Sequence, residues 1–421
     1  MSKQRLIVMC VDALFTTDLA DVCRMEGFRE ILEDAAVYEN IECIYPTLTY
    51  PCHATIMTGC WPDRHGISHN EKLSPAENNR EWYWGYGNLK EKTIFDYARE
   101  RGLTTAALEW PVTAGGPIDY LLPEIWSYDP EDTQMREAIL GGASEGAREI
   151  YEKNRHMLCW KENPRFDAFN VRCAVDMIHK YKPEVIFMHQ SNLDHVRHVH
   201  GLHAPQVQEA LRLHGHWIQE IADALKEEGL FEDTAFVILG DHGHLQVDYN
   251  ICPNVLLKQE GLLETDEQGT VRSWDAYMQS AGISAQVFVK HEQDLGTVED
   301  ILKRLAEMGF VREIFTREQV KELYHLDGEF AFVAEAAANY AFGNAACGEL
   351  IVGTDRSDYK FSVATHGHLP FRGEKPCFIV RAKDVPKGVY EGGRLVDEGP
   401  TMMKLLGLQE MAGEMEGRAL Y

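Results

Sequence analysis

Four apolar stretches of this 421-residue chain lead into aspartates or histidines, and this pattern constrains the fold more than any other feature. The stretches are residues 6–11, 185–188, 236–240 and 361–363. The residues that follow them are Asp12, then Asp194 with His198, then Asp241 with His242, and finally His366. Short apolar runs are typical of buried strands, and α/β sheets bind ligands at the carboxyl ends of their strands. We therefore expect these six side chains to meet at one edge of a sheet.

Strand-like and helix-like segments alternate along most of the chain, which indicates an α/β fold with a mostly parallel sheet between two helical layers. The predicted core strands are 5–11, 41–45, 104–109, 184–189, 235–239 and 377–382. The predicted core helices are 92–101, 136–153, 165–180, 206–227 and 400–406, and residues 19–36 also have helical periodicity.

Residues 244–365, between the last two ligand motifs, no longer alternate regularly between strand-like and helix-like segments. This pattern predicts a small α+β insertion. Strands are expected at 285–290 and 330–334, and helices at 298–308 and 317–324. Both ends of this segment lie near ligand motifs, so it should sit over the site as a cap. The predicted domains are a metal-binding core of residues 1–243 and 366–421, and an insertion of residues 244–365 containing the cap.

The block from Pro46 to Asn70 contains a threonine, Thr49, where a short helix is expected to begin, with Thr49 as a plausible N-cap. A hydroxyl at a helix N-terminus faces unpaired backbone N–H groups and the positive end of the helix dipole, which favour a phosphate. Threonine is a weak nucleophile at neutral pH and needs a base or a metal ion to activate it.

Three aspartates and three histidines are enough ligands for two Zn²⁺-like ions with coordination positions left open. Two metals about 4 Å apart can stabilise both the attacking and the leaving oxygen of a phosphoryl transfer. Each residue alone has a simpler interpretation. Asp12 could cap a helix, Asp194 and His198 could form a surface pair, and His366 could lie in a turn.

Composition limits the partners and the location of the protein. The 67 acidic residues outnumber the 41 basic ones, which disfavours a nucleic-acid polymer but not a small phosphorylated substrate. Ten cysteines without CxxC spacing predict free, mostly buried thiols. The N-terminus enters a strand directly and no stretch is apolar enough for a membrane span. The expected protein is cytoplasmic and has no membrane partner, and assembly as a homo-oligomer is left open.

The ordered motifs resemble the alkaline phosphatase superfamily, and within it the nucleotide pyrophosphatase/phosphodiesterase (type I phosphodiesterase) branch. That branch has the pattern Pro-x-x-Thr-aromatic-Pro-Asn-His, then Thr-Gly, then His-Gly-Ile-x-x-Asn, which the block from Pro46 to Asn70 resembles. The resemblance covers most of the core and not the cap. It implies an alkaline-phosphatase-like three-layer core and a two-zinc hydrolase of phosphodiester or pyrophosphate bonds.

The resemblance also implies a role for each site residue. Thr49 would be the nucleophile, forming a phospho-threonine intermediate, and Asn70 with the backbone amide of Tyr50 would hold a non-bridging phosphate oxygen. One zinc would be held by Asp194, His198 and His366, and the other by Asp12, Asp241 and His242, with Thr49 completing the site. Three departures from the branch leave nucleotide specificity open: Cys52 in place of Asn, the sequence Gln190-Ser191-Asn192-Leu193 before Asp194, and His368-Leu369-Pro370 after His366-Gly367.

Two rival functions use the same sequence. The first is a phosphonate hydrolase or phosphomonoesterase, although monoesterases usually add a cationic group for the extra phosphate charge. Asn70 is neutral, which favours diesters. The second is a non-enzymatic binding protein on the same fold, which would be expected to have lost ligands, and none of the six is missing.

Three further features have competing interpretations. Cys60-Trp61-Pro62-Asp63-Arg64 matches the Cys-x-Pro-x-Arg pattern of sulfatases, but Cys60 follows Thr58-Gly59 instead of preceding it, so we interpret it as structural. The aromatic cluster Trp82, Tyr83, Trp84 and Tyr86 could stack on a ligand, and packing is favoured. The flanking histidines are expected to support the ligands or to contact substrate; they are His195, His200, His244 and His368.

Overall fold

A central sheet of eight strands organises the molecule in a computed structural model that describes residues 5–76, 81–125, 139–158, 163–356 and 362–421. In spatial order the strands are Gly388–Glu391, Ala35–Glu39, Phe378–Arg381, Thr234–Leu239, Arg5–Val11, Val185–Gln190, Thr105–Leu108 and Tyr120–Leu122. Phe378–Arg381 runs antiparallel to both of its neighbours, and the other pairs are parallel. The predicted α/β fold with a mostly parallel sheet is confirmed.

Alternating side chains of the strand Arg5–Val11 enter two separate hydrophobic cores, one on each face of the sheet. Ile7, Met9 and Val11 belong to the first core, which the helices Arg165–Tyr181 and Pro205–Glu227 cover. Leu6, Val8 and Cys10 belong to the second core, which includes residues of the helices Thr49–Thr58, Ile94–Glu100 and Leu395–Leu405. Since each core requires its own helical layer, the architecture has three layers. The α-helices of the described residues include Leu19–Val22, Phe28–Leu32, Thr49–Thr58, Pro62–His65, Ile94–Glu100, Glu145–Asn154, Arg165–Tyr181, Asn192–His200, Pro205–Glu227, Asn254–Gln259, Leu295–Glu307, Arg317–Tyr324 and Leu395–Leu405.

The prediction of a strand at residues 41–45 is wrong. The strand lies earlier, at Ala35–Glu39, and its first two residues fall in the segment 19–36 where helical periodicity was expected. Backbone N–H groups of Ile41 and Glu42 do donate hydrogen bonds, to Pro376 and Gly393, but these contacts extend no ladder. Tyr45 then joins Pro46 through a cis peptide bond. The start of the predicted helix 136–153 lies outside the described residues. Residues 139–142 are helical, and after a break at residues 143 and 144 the helix Glu145–Asn154 follows.

Residues 245–365 form smaller sheets beside the central one. The main one orders the strands Ala276–Ser280, Ser284–Val289, Phe332–Ala336 and Val311–Thr316, and the helix Leu295–Glu307 packs on it. A second sheet pairs Leu245–Ile251 with Asn339–Phe342, Ile351–Gly353 and Ala364–Thr365, and a hairpin joins Leu263–Thr265 to Val271–Trp274. All strands of the central sheet lie outside this segment. The domain limits, 1–243 with 366–421 and 244–365, stay a prediction.

The described cysteines are free thiols, and all except Cys23 and Cys347 are buried, as expected. Cys60 lies just beyond the C-terminal end of the helix Thr49–Thr58, where its Sγ is 3.6 Å from the backbone oxygen of Glu414. Burial raises the pKa of the Cys60 thiol to about 12, so it is not a reactive thiolate. Among the helices of the described residues, none has the length and apolar character needed to cross a bilayer.

Candidate metal centre and active site

Asp12, Asp241 and His242 form one group of potential ligands at the carboxyl ends of two neighbouring strands. The strands Arg5–Val11 and Thr234–Leu239 pair directly, so the residues that follow them are adjacent. His242 Nε2 lies 3.3 Å from Asp12 Oδ1 and 3.4 Å from Asp241 Oδ2. All three side chains are buried. The arrangement concentrates two carboxylates around one imidazole nitrogen.

One oxygen of each carboxylate in this group has no hydrogen-bond donor. Asp241 Oδ1 accepts a hydrogen bond from the Ala13 N–H at 3.1 Å, but Asp241 Oδ2 and Asp12 Oδ1 are buried and accept none. Burial raises the pKa of Asp12 to about 7, and burial together with the neighbouring Asp12 charge raises the pKa of Asp241. A buried anion pair of this kind is what a divalent cation would stabilise.

A second group lies beside the first and contains Asp194, His198 and His366, together with His244. The helix Asn192–His200 follows the strand Val185–Gln190 and places Asp194 and His198 on one face, with His198 Nε2 3.4 Å from Asp194 Oδ1. His366 Nε2 lies 3.9 Å from the same oxygen. The rings of His366 and His242 stack at 4.1 Å between centroids, so the two groups are contiguous.

Backbone carbonyls fix the orientation of the two histidines predicted to bind the second metal. His198 Nδ1 donates to the Ala364 oxygen at 2.7 Å, and His366 Nδ1 donates to the Thr47 oxygen at 3.1 Å. A carbonyl only accepts, so Nδ1 carries the proton and the lone pair of each ring is on Nε2, the atom turned towards Asp194. Burial also lowers the pKa of His366 well below its usual value, which keeps that ring neutral.

His244 contacts Asp194 more closely than the sequence suggested. Its Nε2 donates to Asp194 Oδ1 at 2.6 Å, and one ligand atom each from Asp194, His242, His244 and His366 fit within 4.8 Å of one another. Burial would raise the pKa of Asp194, but the adjacent His198, the hydrogen bond from His244 and the adjacent His366 hold it well below its usual value. His244 therefore orients Asp194, and its expected supporting role stays a prediction.

Thr49 is the first residue of the helix Thr49–Thr58, and Leu48, not Thr49, occupies the N-cap. The Thr49 hydroxyl is not used for capping and lies 3.2 Å from His242 Nε2. The Tyr50 N–H donates to Asn70 Oδ1 at 2.9 Å, so the two predicted phosphate-holding groups contact each other. This bond directs the Asn70 oxygen towards the helix and leaves the Nδ2 amide as the donor end of that side chain.

His189 contacts Asp12 on one side and Glu124 on the other, and the sequence did not predict a role for either His189 or Glu124. His189 Nε2 donates to Asp12 Oδ2 at 3.0 Å, and its Nδ1 lies 3.7 Å from Glu124 Oε2. Burial would lower the pKa of His189, but the hydrogen bonds of Asp12 and Glu124 hold it well above its usual value. A histidine inside the apolar run before Asp194 was the available signal; Glu124 has no sequence signal.

The aromatic cluster packs on the second hydrophobic core. Trp82, Tyr83 and Trp84 contact that core, and the Trp82 ring meets the Tyr50 ring edge-on at 5.2 Å between centroids. Tyr86 uses its hydroxyl to contact Thr93 at 2.7 Å. Packing, the favoured alternative, is therefore the observed role for three members, and Trp82 also reaches the residue next to Thr49.

Comparison with known proteins places this geometry in context. The family model described as "Type I phosphodiesterase / nucleotide pyrophosphatase" matches residues 6–374. Rat (Rattus norvegicus) ectonucleotide pyrophosphatase/phosphodiesterase family member 1 is 25% identical over 224 residues, which is 50% of this chain and 21% of the rat protein. Rat family member 7 is 21% identical over 233 residues, 51% of this chain and 45% of that protein. The match thus spans less than half the length of either relative.

Solved structures share the fold over almost the whole chain. Murine ectonucleotide pyrophosphatase/phosphodiesterase 5 has a TM-score of 0.68 at 17% identity and covers 96% of this chain and 95% of its own. A second structure of the murine protein, an inactive threonine-to-alanine variant in complex with AMP, has a TM-score of 0.66 at 16% identity. Together with the family match over residues 6–374, this establishes that the chain belongs to the type I phosphodiesterase/nucleotide pyrophosphatase family of the alkaline phosphatase superfamily.

Proposed function

We propose that this chain hydrolyses phosphodiester or pyrophosphate bonds through a phospho-threonine intermediate on Thr49, with two divalent metal ions, Zn²⁺. The observation that carries the proposal is the position of the Thr49 hydroxyl, 3.2 Å from His242 Nε2, beside two contiguous carboxylate–histidine groups. An inactive murine relative with a threonine replaced by alanine, described in complex with AMP, agrees with a threonine nucleophile.

The donor atoms fit two metal ions. Asp12 Oδ1 and Asp241 Oδ2 are buried without a hydrogen bond, and His198 and His366 have the tautomer that leaves Nε2 as a donor to a metal. Asp12, Asp241 and His242 would hold one ion together with Thr49, and Asp194, His198 and His366 the other. When bound, such ions supply Lewis acidity that neutralises charge on phosphoryl oxygens.

The residues of the chain then divide the reaction between them. Thr49 Oγ1 forms a bond to phosphorus as the bond to the leaving alcohol or phosphate breaks. Water next cleaves the phospho-threonine and restores the hydroxyl, releasing the phosphorylated product. The Thr49 position at the first helical residue holds the hydroxyl at the helix N-terminus, where the dipole favours the anionic phosphoryl group.

Asn70 supports a preference for diesters over monoesters. A diester carries one negative charge on its non-bridging oxygens, which a neutral amide donor is sufficient to bind. A monoester dianion presents more charge, for which a cationic side chain is the usual partner. The proposed substrate is therefore a small phosphodiester or pyrophosphate and not a nucleic-acid polymer. A cytoplasmic location and assembly as a homo-oligomer stay proposals.

The test is a substrate panel assayed with purified full-length protein in the presence of zinc. We expect kcat/KM for a bis-aryl phosphodiester or a nucleotide diester to exceed that for an aryl monoester or an aryl phosphonate. Metal content measured by mass spectrometry should approach two zinc ions per chain. A monoester or phosphonate preference would replace the diester assignment, and the absence of both turnover and stoichiometric metal would support the non-enzymatic alternative.

A further inference from the structure

A polar side chain, that of His189, lies inside the buried central strand Val185–Gln190. This side chain is 3% exposed, and burying a polar ring costs free energy unless its nitrogen atoms find partners. The strand pairs with Arg5–Val11 on one side and Thr105–Leu108 on the other through its backbone, which does not require a histidine at this position. A role for the side chain must therefore come from the groups that its ring nitrogens contact.

Both ring nitrogens of His189 face buried carboxylates. Nε2 donates to Asp12 Oδ2 at 3.0 Å, and Nδ1 lies 3.7 Å from Glu124 Oε2. Glu124 comes just after the strand Tyr120–Leu122 at the edge of the central sheet. The backbone of His189 is held as well, because Asn170 Nδ2 donates to its carbonyl oxygen at 2.9 Å. The imidazole thus lies between two carboxylates, of which only Asp12 belongs to the proposed metal centre.

The two oxygens of Asp12 have different surroundings. Oδ2 accepts the hydrogen bond of His189, whereas Oδ1 is buried, accepts none and lies 3.3 Å from His242 Nε2. Because a carboxylate is planar, fixing Oδ2 also fixes the direction of Oδ1. The free oxygen of Asp12 therefore points to the side where the other members of the first metal group, Asp241 and His242, are found.

The packing around His189 restricts the rotation of its ring. The ring of His53 lies 4.5 Å away between centroids at an angle of 70°, and His53 in turn meets the Trp110 ring at 4.6 Å. His53 is itself fixed, because its Nδ1 donates to the Thr49 backbone oxygen at 2.8 Å. Rings packed this closely keep one rotamer, so the hydrogen bond to Asp12 is in place before a metal ion binds.

We propose that His189 is a positioning residue for Asp12, holding this carboxylate so that it presents one oxygen, Oδ1, to the metal ion of the first group. Hydrogen-bond partners of metal ligands orient those ligands and raise the affinity for the metal. The inference deepens the metal site of the proposed function and rests on it. The ion of the first group should depend on His189, whereas the ion of the second group, which contains Asp194, should not.

Two amide variants, compared by zinc titration of the full-length protein against a chromophoric chelator, test the proposal. His189→Gln places an amide nitrogen near the position of Nε2 and can still donate to Asp12. His189→Asn is one methylene shorter, so its amide lies near the position of Nδ1 and does not reach Asp12. We expect His189→Gln to bind two zinc ions with affinities within about threefold of wild type. His189→Asn should bind one ion about 10–100-fold more weakly and the other with unchanged affinity.

The matched control is His214→Asn. His214 is also a buried histidine, and its Nδ1 lies 3.0 Å from Gln190 Oε1, but it belongs to neither ligand group. It should bind both zinc ions like wild type even where its melting temperature falls, which separates loss of stability from loss of positioning. Melting temperatures of the metal-free proteins verify folding. If His189→Asn does not fold, His189→Phe, which keeps a ring and removes both nitrogens, takes its place.

Three results would overturn the inference. The first is that His189→Asn, or His189→Phe in its place, binds both ions as tightly as wild type. The second is that His189→Gln is impaired as much as His189→Asn, and the third is that His214→Asn loses the same ion. Absence of zinc binding by the wild-type protein is a different result, which would remove the two-metal function and the inference with it.

Discussion

Thr49 illustrates how a single residue is positioned by the sequence around it. Leu48 takes the extended N-cap conformation, so Thr49 begins the helix and its hydroxyl is left without a capping role. Thr47, two residues before Thr49, binds the segment that follows His366. Its Oγ1 accepts hydrogen bonds from the backbone N–H groups of Gly367 and His368 at 2.9 and 2.8 Å. Thr49 and the segment that carries His366 are therefore held by neighbouring residues of one short stretch.

Replacing Thr49 tests the covalent mechanism. Thr49→Ala should reduce kcat/KM for a diester by ~10³-fold or more, because no other group replaces the attacking oxygen. Thr49→Ser keeps a hydroxyl and should retain part of the activity. Zinc content should stay near wild type in both variants, since six other ligands hold the ions. Turnover of Thr49→Ala close to wild type would exclude the phospho-threonine intermediate.

Asn70 allows a sharper test, because its oxygen and its nitrogen have different roles. Asn70→Ala removes both and should lower kcat/KM for a diester by about 10²-fold, as for loss of one oxyanion donor. Asn70→Asp keeps an oxygen for the Tyr50 N–H but replaces the donor by a charge that repels the phosphate. We therefore expect Asn70→Asp to be at least as impaired as Asn70→Ala. If Asn70→Asp were nearly wild type, the residue would only position Tyr50.

At the level of elements, the helix Asn192–His200 carries two of the proposed metal ligands and is stabilised from a neighbouring helix. Asp167, near the start of the helix Arg165–Tyr181, accepts from the backbone N–H of Asn192 at 2.8 Å and of Ser191 at 3.2 Å. A carboxylate at a helix N-terminus satisfies unpaired N–H groups and interacts favourably with the dipole. The position of Asp194 and His198 thus depends on Asp167, which belongs to the preceding helix and not to the strand before them.

Asp167 should make stability depend on pH. Burial raises its pKa from 3.8 to about 6, although the two backbone N–H groups oppose this. Because the pKa is higher in the folded state, protonated Asp167 contributes to the free energy of unfolding fully below pH 3.8. This contribution is lost as the pH rises through about 6, and the loss amounts to ~3 kcal/mol. Asp167→Asn does not ionise. Urea unfolding of both proteins with a chelator should show wild type losing stability relative to Asp167→Asn as the pH rises from 4 to 7. Parallel curves would contradict this.

The whole molecule brings its site together through the order of its sheet. The three central strands, Thr234–Leu239, Arg5–Val11 and Val185–Gln190, are direct neighbours, and proposed metal ligands follow each of them in the sequence. That convergence could be predicted, because strand runs and the polar residues after them are local patterns. The same holds for the helix at Thr49. His366 reaches the site by a different route, from the end of the short strand Ala364–Thr365 of a smaller sheet.

Other features could not be predicted because they depend on tertiary contacts. The sequence placed the strand Ala35–Glu39 at residues 41–45 instead. Its true position is set by pairing with Phe378–Arg381, more than 300 residues away, which no local pattern reveals. The contacts of His189 with Asp12 and Glu124 join three distant segments, and no local pattern of the sequence marks them.

Because proposed ligands from residue 12 to residue 366 meet at one site, metal binding should stabilise the fold as a whole. A ligand that binds only the folded state stabilises it by RT ln(1 + [L]/Kd), which is about 3–4 kcal/mol at 100 to 1,000 times Kd. Zinc added to chelator-treated protein should therefore raise the melting temperature by several degrees.

Asp241→Asn should bind about one ion fewer and lose much of this increase, because it weakens one of only three protein ligands on that ion. Asp248→Asn, an exposed aspartate seven residues away on the strand Leu245–Ile251, is the matched control and should respond like wild type. Equal zinc content and equal stabilisation in Asp241→Asn and wild type would show that Asp241 does not bind the metal.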